Sequence, residues 1–217
     1  MKRILLARHG VTSWNRERRF QGCSDIPLTD EGQQQASRLA TRVALWKPHR
    51  IVTSPLIRAR DTAEAVRRAC GGHPPCEVSE GLREMSFGAW EGLPVEQLVQ
   101  DAGESLNLWA RDPGKFTPPG GEPIACTQQR ALEALNPILA GGDPEERILL
   151  VAHGGVISAL LLALFSMPTQ MFRGILPGNC ALSAIHLDPD QRFLVFLNDV
   201  LHMAVAEELV GQLPIPA

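Results

Sequence analysis

Two short apolar runs, each broken off at a histidine, constrain this chain more than anything else in it. Ile4-Leu5-Leu6-Ala7 stops at Arg8-His9-Gly10, and Ile148-Leu149-Leu150-Val151-Ala152 stops at His153-Gly154-Gly155. Short runs without polar alternation suit strands buried on both faces, the habit of parallel sheets covered by helices on each side. In open α/β sheets, ligands bind outside the carboxyl ends of the strands. Both histidines are therefore expected at one end of one sheet. Gly10 allows a sharp turn or a close approach of backbone to ligand there.

The rest of the chain alternates strand and helix signals, which predicts an α/β fold with a mostly parallel sheet covered on both faces. Strands are expected at about 3–8, 49–53, 76–79, 147–152, 180–187 and 192–197. Helices are expected at about 30–46, 55–70, 94–101, 104–111, 122–140 and 154–166. Thr29 is placed to cap the first long helix, whose Ala36, Leu39, Ala40 and Val43 repeat at helical spacing. Ser54-Pro55 reads as N-cap and first helical residue of the next, with Arg58 in its first turn. An arginine there opposes the helix dipole unless an anion binds. No linker, repeat or low-complexity tract divides residues 1–217, so a single domain is expected. Residues 81–122, richer in Gly, Pro and Trp, would form a lid or insertion, and the tail Gln212–Ala217 would lie on the surface.

The charge is uneven. Residues 1–60 hold 12 of the 21 Lys and Arg but 4 of the 24 Asp and Glu, although the net charge is −3. A local positive field of that kind attracts small anions. Nothing suggests nucleic acid, since no basic repeat interleaves with aromatics and Tyr is absent. The apolar run after Lys2-Arg3 is too short for a signal peptide, and Val156–Phe165 is too short to span a bilayer, so a cytoplasmic location without membrane attachment is expected. Cys23, Cys70, Cys76, Cys126 and Cys180 are odd in number and read as free thiols. Cys70, His73 and Cys76 have ligand-like spacing but no fourth partner, so no metal is expected.

Five ordered blocks carry a family likeness: Arg8-His9-Gly10 with Thr12 and Asn15; Gln21-Gly22 through Pro27-Leu28-Thr29; Thr53-Ser54-Pro55 with Arg58-Ala59; Glu84 with Phe87-Gly88-Ala89-Trp90-Glu91-Gly92; and His153-Gly154. Together they resemble the histidine phosphatase superfamily, in its phosphoglycerate mutase-like branch, over nearly the whole chain. Within it the chain is most similar to α-ribazole phosphatase-like and broad-specificity phosphatases. The resemblance implies a three-layer αβα sandwich. It also implies that His9 is the nucleophile and Glu84 the general acid and base. Arg8, Arg58 and a protonated His153 would hold the phosphoryl group, while Asn15, Gln21, Gly22 and Gly154 would contact substrate. Glu80 and Glu91 are the alternatives to Glu84. Trp90 and Trp109 suit lid or core packing.

A mutase and a phosphatase share these residues. The phosphatase is favoured by the short stretch between Glu84 and His153, by the wording of residues 84–92, and by Cys23 where the mutases usually carry Trp. The expected activity is metal-independent and cofactor-free hydrolysis of a small phosphorylated metabolite, such as α-ribazole 5′-phosphate, through a phosphohistidine. A phosphoglycerate mutase is the alternative, and a non-catalytic phospho-ligand-binding module is the alternative of another class. A homodimer is compatible with such a chain.

Overall fold

The computed structural model describes residues 1–141, 143–188 and 190–203, so the expected surface tail lies outside the described residues. Six strands form one sheet in the order β3-β2-β4-β1-β5-β6. They are β1 (Lys2–Arg8), β2 (Arg50–Thr53), β3 (Cys76–Val78), β4 (Arg147–Ala152), β5 (Leu182–Leu187) and β6 (Arg192–Asp199). The first four pair in parallel, and β5 and β6 add antiparallel at one side.

Alternation along β1 shows why its run is uninterrupted. Ile4 and Leu6 enter the core on one face, while Leu5 and Ala7 enter the core on the other. In β4, Ile148, Leu150 and Ala152 join the first core and Leu149 and Val151 the second. Each strand therefore needs apolar side chains at every position. The second core is closed by α2 (Asp30–Trp46) and α3 (Ile57–Ala69), whose Ala36, Leu39, Ala40, Val43, Ala59, Ala63 and Val66 are buried. The first is closed by α5 (Ile124–Ala140) and α6 (Gly154–Leu164), making three layers. A single turn, α1 (Ser13–Arg16), precedes them, and α4 (Val95–Arg111) crosses the first core's rim. Among the described residues, no helix is long and apolar enough to cross a membrane.

The two helices read at 94–101 and 104–111 are both present as the two halves of α4, which meet at a kink at Ala102, whose φ of −146° and ψ of 34° leave the helical region. One local expectation needs correction. Ser54 is not the N-cap of α3. That helix starts at Ile57, its cap residue Leu56 offers no side-chain acceptor, and the Ile57 N–H donates instead to Asp25 Oδ1 at 2.7 Å. Ser54 Oγ is engaged elsewhere, 2.6 Å from His153 Nε2. Thr29 does cap α2, accepting from the Gly32 N–H at 3.1 Å.

Candidate active site

Strand register brings the histidines together. Parallel pairing sets Arg8 opposite Ala152, so the next residues, His9 and His153, emerge side by side with ring centroids 5.1 Å apart. The His9 N–H donates to the Ala152 carbonyl at 3.0 Å, extending the ladder to the last residue before the loop. Gly10 is required because a Cβ there would lie 2.4 Å from the Gly32 carbonyl oxygen.

His9 Nδ1 lies 2.7 Å from the Gly10 carbonyl oxygen. A carbonyl only accepts, so Nδ1 carries the proton and Nε2 keeps a lone pair. His153 has the opposite tautomer, with its proton on Nε2. Its Nδ1 accepts from Arg58 Nε at 3.2 Å, leaving Nε2 to donate to Ser54 Oγ. Burial, then the charges of Arg58 and Arg8, hold the His9 pKa well below 6.5. Burial and Arg58, with smaller contributions from His9 and Arg8, do the same for His153. Burial and the nearby guanidinium groups thus oppose the protonated His153 expected from sequence, because a third cation beside Arg8 and Arg58 is costly.

This has a consequence for stability. Unfolded histidine titrates near 6.5, and both folded values are depressed. Below about 6.5 the unfolded chain then binds more protons, so stability falls as pH drops and is level above that point. Each histidine contributes about 1.4 kcal/mol per pH unit across its window. Thermal melting between pH 7.5 and 5 should show the loss, with part of the slope removed in His9→Asn. A profile unchanged by that substitution would contradict it.

The arginines come from different elements. Arg58, on the first turn of α3, is fully buried; it donates to the Gly22 carbonyl at 2.8 Å and the Ser24 carbonyl at 2.7 Å besides His153. Three of its five N–H groups are thus occupied and two remain for a ligand. Arg8 donates to the Pro177 carbonyl at 2.7 Å, but its buried Nε has no partner among the described residues. Such an orphaned donor is costly until something accepts from it. Burial draws the pKa of both groups down, opposed chiefly by Glu84. An anion between them would relieve both.

Glu84 reaches the same place from the loop after β3. Its Oε1 accepts from the N–H groups of Met85 (2.8 Å) and Val156 (2.9 Å), and its Oε2 from that of Gly155 (3.0 Å). The carboxylate is thus seated on the first turn of α6, where the helix dipole favours it. Arg130 steadies the loop, donating to the carbonyls of Gly81, Arg83 and Glu84 while paired with Glu122. A Cβ on Gly155 would stand 2.6 Å from Glu84 Oε1. Gly155→Ala should therefore displace the carboxylate and cost about 10²-fold in kcat, the scale of a 1 Å misplacement. Normal kcat in a folded Gly155→Ala protein would show that the seat is not required.

The alternatives to Glu84 lie apart. Glu91 accepts from the Cys23 and Phe87 N–H groups and from the Ser24 and Ser86 hydroxyls, tying two loops together. Glu80 is exposed, 3.8 Å from Arg83. Asn15 and Gln21 both line the cleft. Asn15 Oδ1 accepts from the Thr12 N–H, and Gln21 Oε1 from the Thr12 hydroxyl at 2.9 Å. Gly22 and Gly154 border it too. Gly22 has φ of +50°, with Glu91 filling the space a Cβ would need.

Sequence reasoning missed several supports. Asn179 donates to the His9 carbonyl (3.1 Å) and to Asn15 Oδ1 (3.2 Å), and Thr62 Oγ1 accepts from the Gly10 N–H. These single polar residues carry no local signal. Arg8, His9, Asn15, Gln21, Gly22, Arg58, Glu84 and Gly154 line one cleft of about 450 Å³ whose outer walls are α4 and residues 169–175, while His153 is buried behind it. A larger depression of about 650 Å³ lies at the opposite end of β1, beside Lys2 and Leu187, and holds none of these residues. Among the described residues no group of His, Cys, Asp and Glu could hold a metal ion.

The fold is a three-layered α/β one, and its cleft sets the His9 ring beside the guanidinium groups of Arg8 and Arg58. Residues 4–200 match the histidine phosphatase superfamily (branch 1), and the chain belongs to that family as a histidine phosphatase-type enzyme. Among its curated relatives is the probable phosphoglycerate mutase GpmB of Cronobacter sakazakii, 35% identical over 191 residues covering 85% of each chain. A mycobacterial glucosyl-3-phosphoglycerate phosphatase superposes with a TM-score of 0.86 at 30% identity, covering 92% of this chain and 100% of the other. Phosphoserine phosphatase of Entamoeba histolytica, solved with 3-phosphoglyceric acid, gives 0.82 at 30% identity, covering 94% and 100%.

Proposed function

We propose that this protein hydrolyses small-molecule phosphomonoesters in two steps through phospho-His9, without a metal. The observation that carries the reading is the Nδ1–H of His9 on the Gly10 carbonyl, which turns the Nε2 lone pair into the cleft beside Arg8 and Arg58. Nε2 attacks phosphorus in line, the ester P–O bond breaks, and Glu84 gives its proton to the departing oxygen. Water then attacks phosphorus, the P–N bond breaks, and the Glu84 carboxylate takes the water's proton. Arg8 and Arg58 hold the non-bridging oxygens throughout. Residues 81–122, which include α4, act as a lid within one domain.

The GpmB-type name of the curated relatives keeps a mutase as the second reading. Against it stand the compact connection from Glu84 to His153 and Cys23 beside Gly22. The test is incubation with p-nitrophenyl phosphate in excess EDTA, beside 3-phosphoglycerate followed by NMR. Release of nitrophenolate and inorganic phosphate supports the proposal. Conversion of 3- to 2-phosphoglycerate outpacing phosphate release would replace it with the mutase. Loss of turnover in EDTA, restored by magnesium, would remove metal independence.

A further inference from the structure

The cations of the cleft fall into two tiers. Arg8 and Arg58 form the floor beside the histidines. Arg18, Arg19 and Arg173 stand at its outer part. Two of the outer three are already engaged. Arg18 pairs with Glu96 at 3.1 Å, and Arg19 pairs with Glu17 and donates to the Gly92 carbonyl at 2.7 Å. Arg173 has neither a carboxylate nor a carbonyl partner among the described residues, and it is exposed at the mouth. Glu84, on the floor, is the one acidic residue among those lining the cleft.

Arg173 is also held in place. Its neighbours Phe172 and Ile175 are buried, and Phe172 lies edge-on to Trp109 of α4 at 5.8 Å. Upstream, Asp112 at the end of α4 accepts from Thr169 Oγ1 and Gln170 Nε2, tying residues 169–175 to the lid. An unpaired guanidinium on an anchored segment offers a planar fork to a second anion, while Val99, Leu106 and Trp109 offer the intervening part of a substrate an apolar wall.

We propose that Arg173 selects phosphomonoesters whose leaving group carries a second negative charge, a carboxylate or another phosphate, over those with a neutral leaving group. This rests on the phosphatase reading above. The floor takes the transferred phosphoryl group, and Arg173 takes the second anion at the mouth. Binding energy gained there, away from the reacting atoms, orients the ester for attack.

The experiment compares Arg173→Leu and Arg173→Glu with the parent chain on 3-phosphoglycerate, fructose 1,6-bisphosphate, phenyl phosphate and phosphoethanolamine. The quantity read is the kcat/KM for each charged substrate divided by that for phenyl phosphate. Arg173→Leu should lower this ratio about 10-fold for at least one dianion-bearing substrate, the scale of a lost charge-assisted hydrogen bond. Arg173→Glu should lower it further and raise the ratio for phosphoethanolamine. The parent's preference should shrink with added salt, since the site is exposed. Which substrate loses most tells carboxylate from phosphate. Ratios within about twofold of the parent in both variants, or a parent that does not favour either anionic substrate, would overturn the inference while leaving the phosphatase reading intact. A parent that hydrolyses none of the four would overturn both.

Discussion

His9→Ala is expected to lose turnover by more than about 10³-fold, because among the described residues no other imidazole lines the cleft beside the two arginines. The fold should survive. The His9 backbone keeps its N–H on Ala152, and its carbonyl keeps the Asn179 amide and the Cys180 N–H. The Gly10 carbonyl loses one partner, at a cost of about 1–3 kcal/mol. Arg8 and Arg58 remain, so inorganic phosphate should still raise the melting temperature by binding the folded chain alone. An acid-labile phosphoenzyme, trapped by quenching the parent, should be absent from the variant. More than a tenth of parental activity in His9→Ala would show that the nucleophile lies elsewhere.

Glu84→Gln should separate substrates by their leaving groups. An alkoxide must be protonated as it departs, so alkyl phosphates should slow by about 10²–10⁴-fold, the usual range for general acid–base help. Nitrophenolate leaves without that proton, so phospho-His9 should still form from p-nitrophenyl phosphate. Its hydrolysis needs a base, and the variant should therefore show a burst of nitrophenolate followed by a slow phase. The three N–H donors around the carboxylate sharpen the test, because the new amide nitrogen cannot accept from any of them. Equal slowing of alkyl and aryl esters without a burst would mean that Glu84 only positions the site, with the acid supplied by another group.

Much of the fold was legible because its strands are buried on both faces. A strand such as β4, with Leu149 in one core and Leu150 in the other, must be apolar throughout, and an unbroken run is easy to read. The helix α2 was equally clear, since Thr29 sits where a cap belongs and the buried stripe repeats at helical spacing. The start of α3 was misread for a physical reason. Ser54-Pro55 has the local form of a helix start, yet the acceptor for Ile57 comes from Asp25, 32 residues away. Local pattern cannot reveal a cap supplied by another loop, nor that Ser54 is needed by His153.

The sequence alone pointed to two histidines at one end of one sheet, and its family resemblance to the arginines and carboxylate expected beside them. Those features follow from burial periodicity and from ordered blocks of residues, and both are written along the chain. That the two strands are neighbours came from the structure. Only the tertiary structure decided the protonation of the site. His9 owes its Nε2 lone pair to the Gly10 carbonyl, while burial and two guanidinium groups oppose a third positive charge on His153. The structure alone also sorted Glu84 from Glu91, by what donates to each, and left Arg173 without a carboxylate or carbonyl partner among the described residues. Hydrogen-bond partners, desolvation and charge proximity depend on distances between segments far apart in the chain, which composition and spacing do not encode.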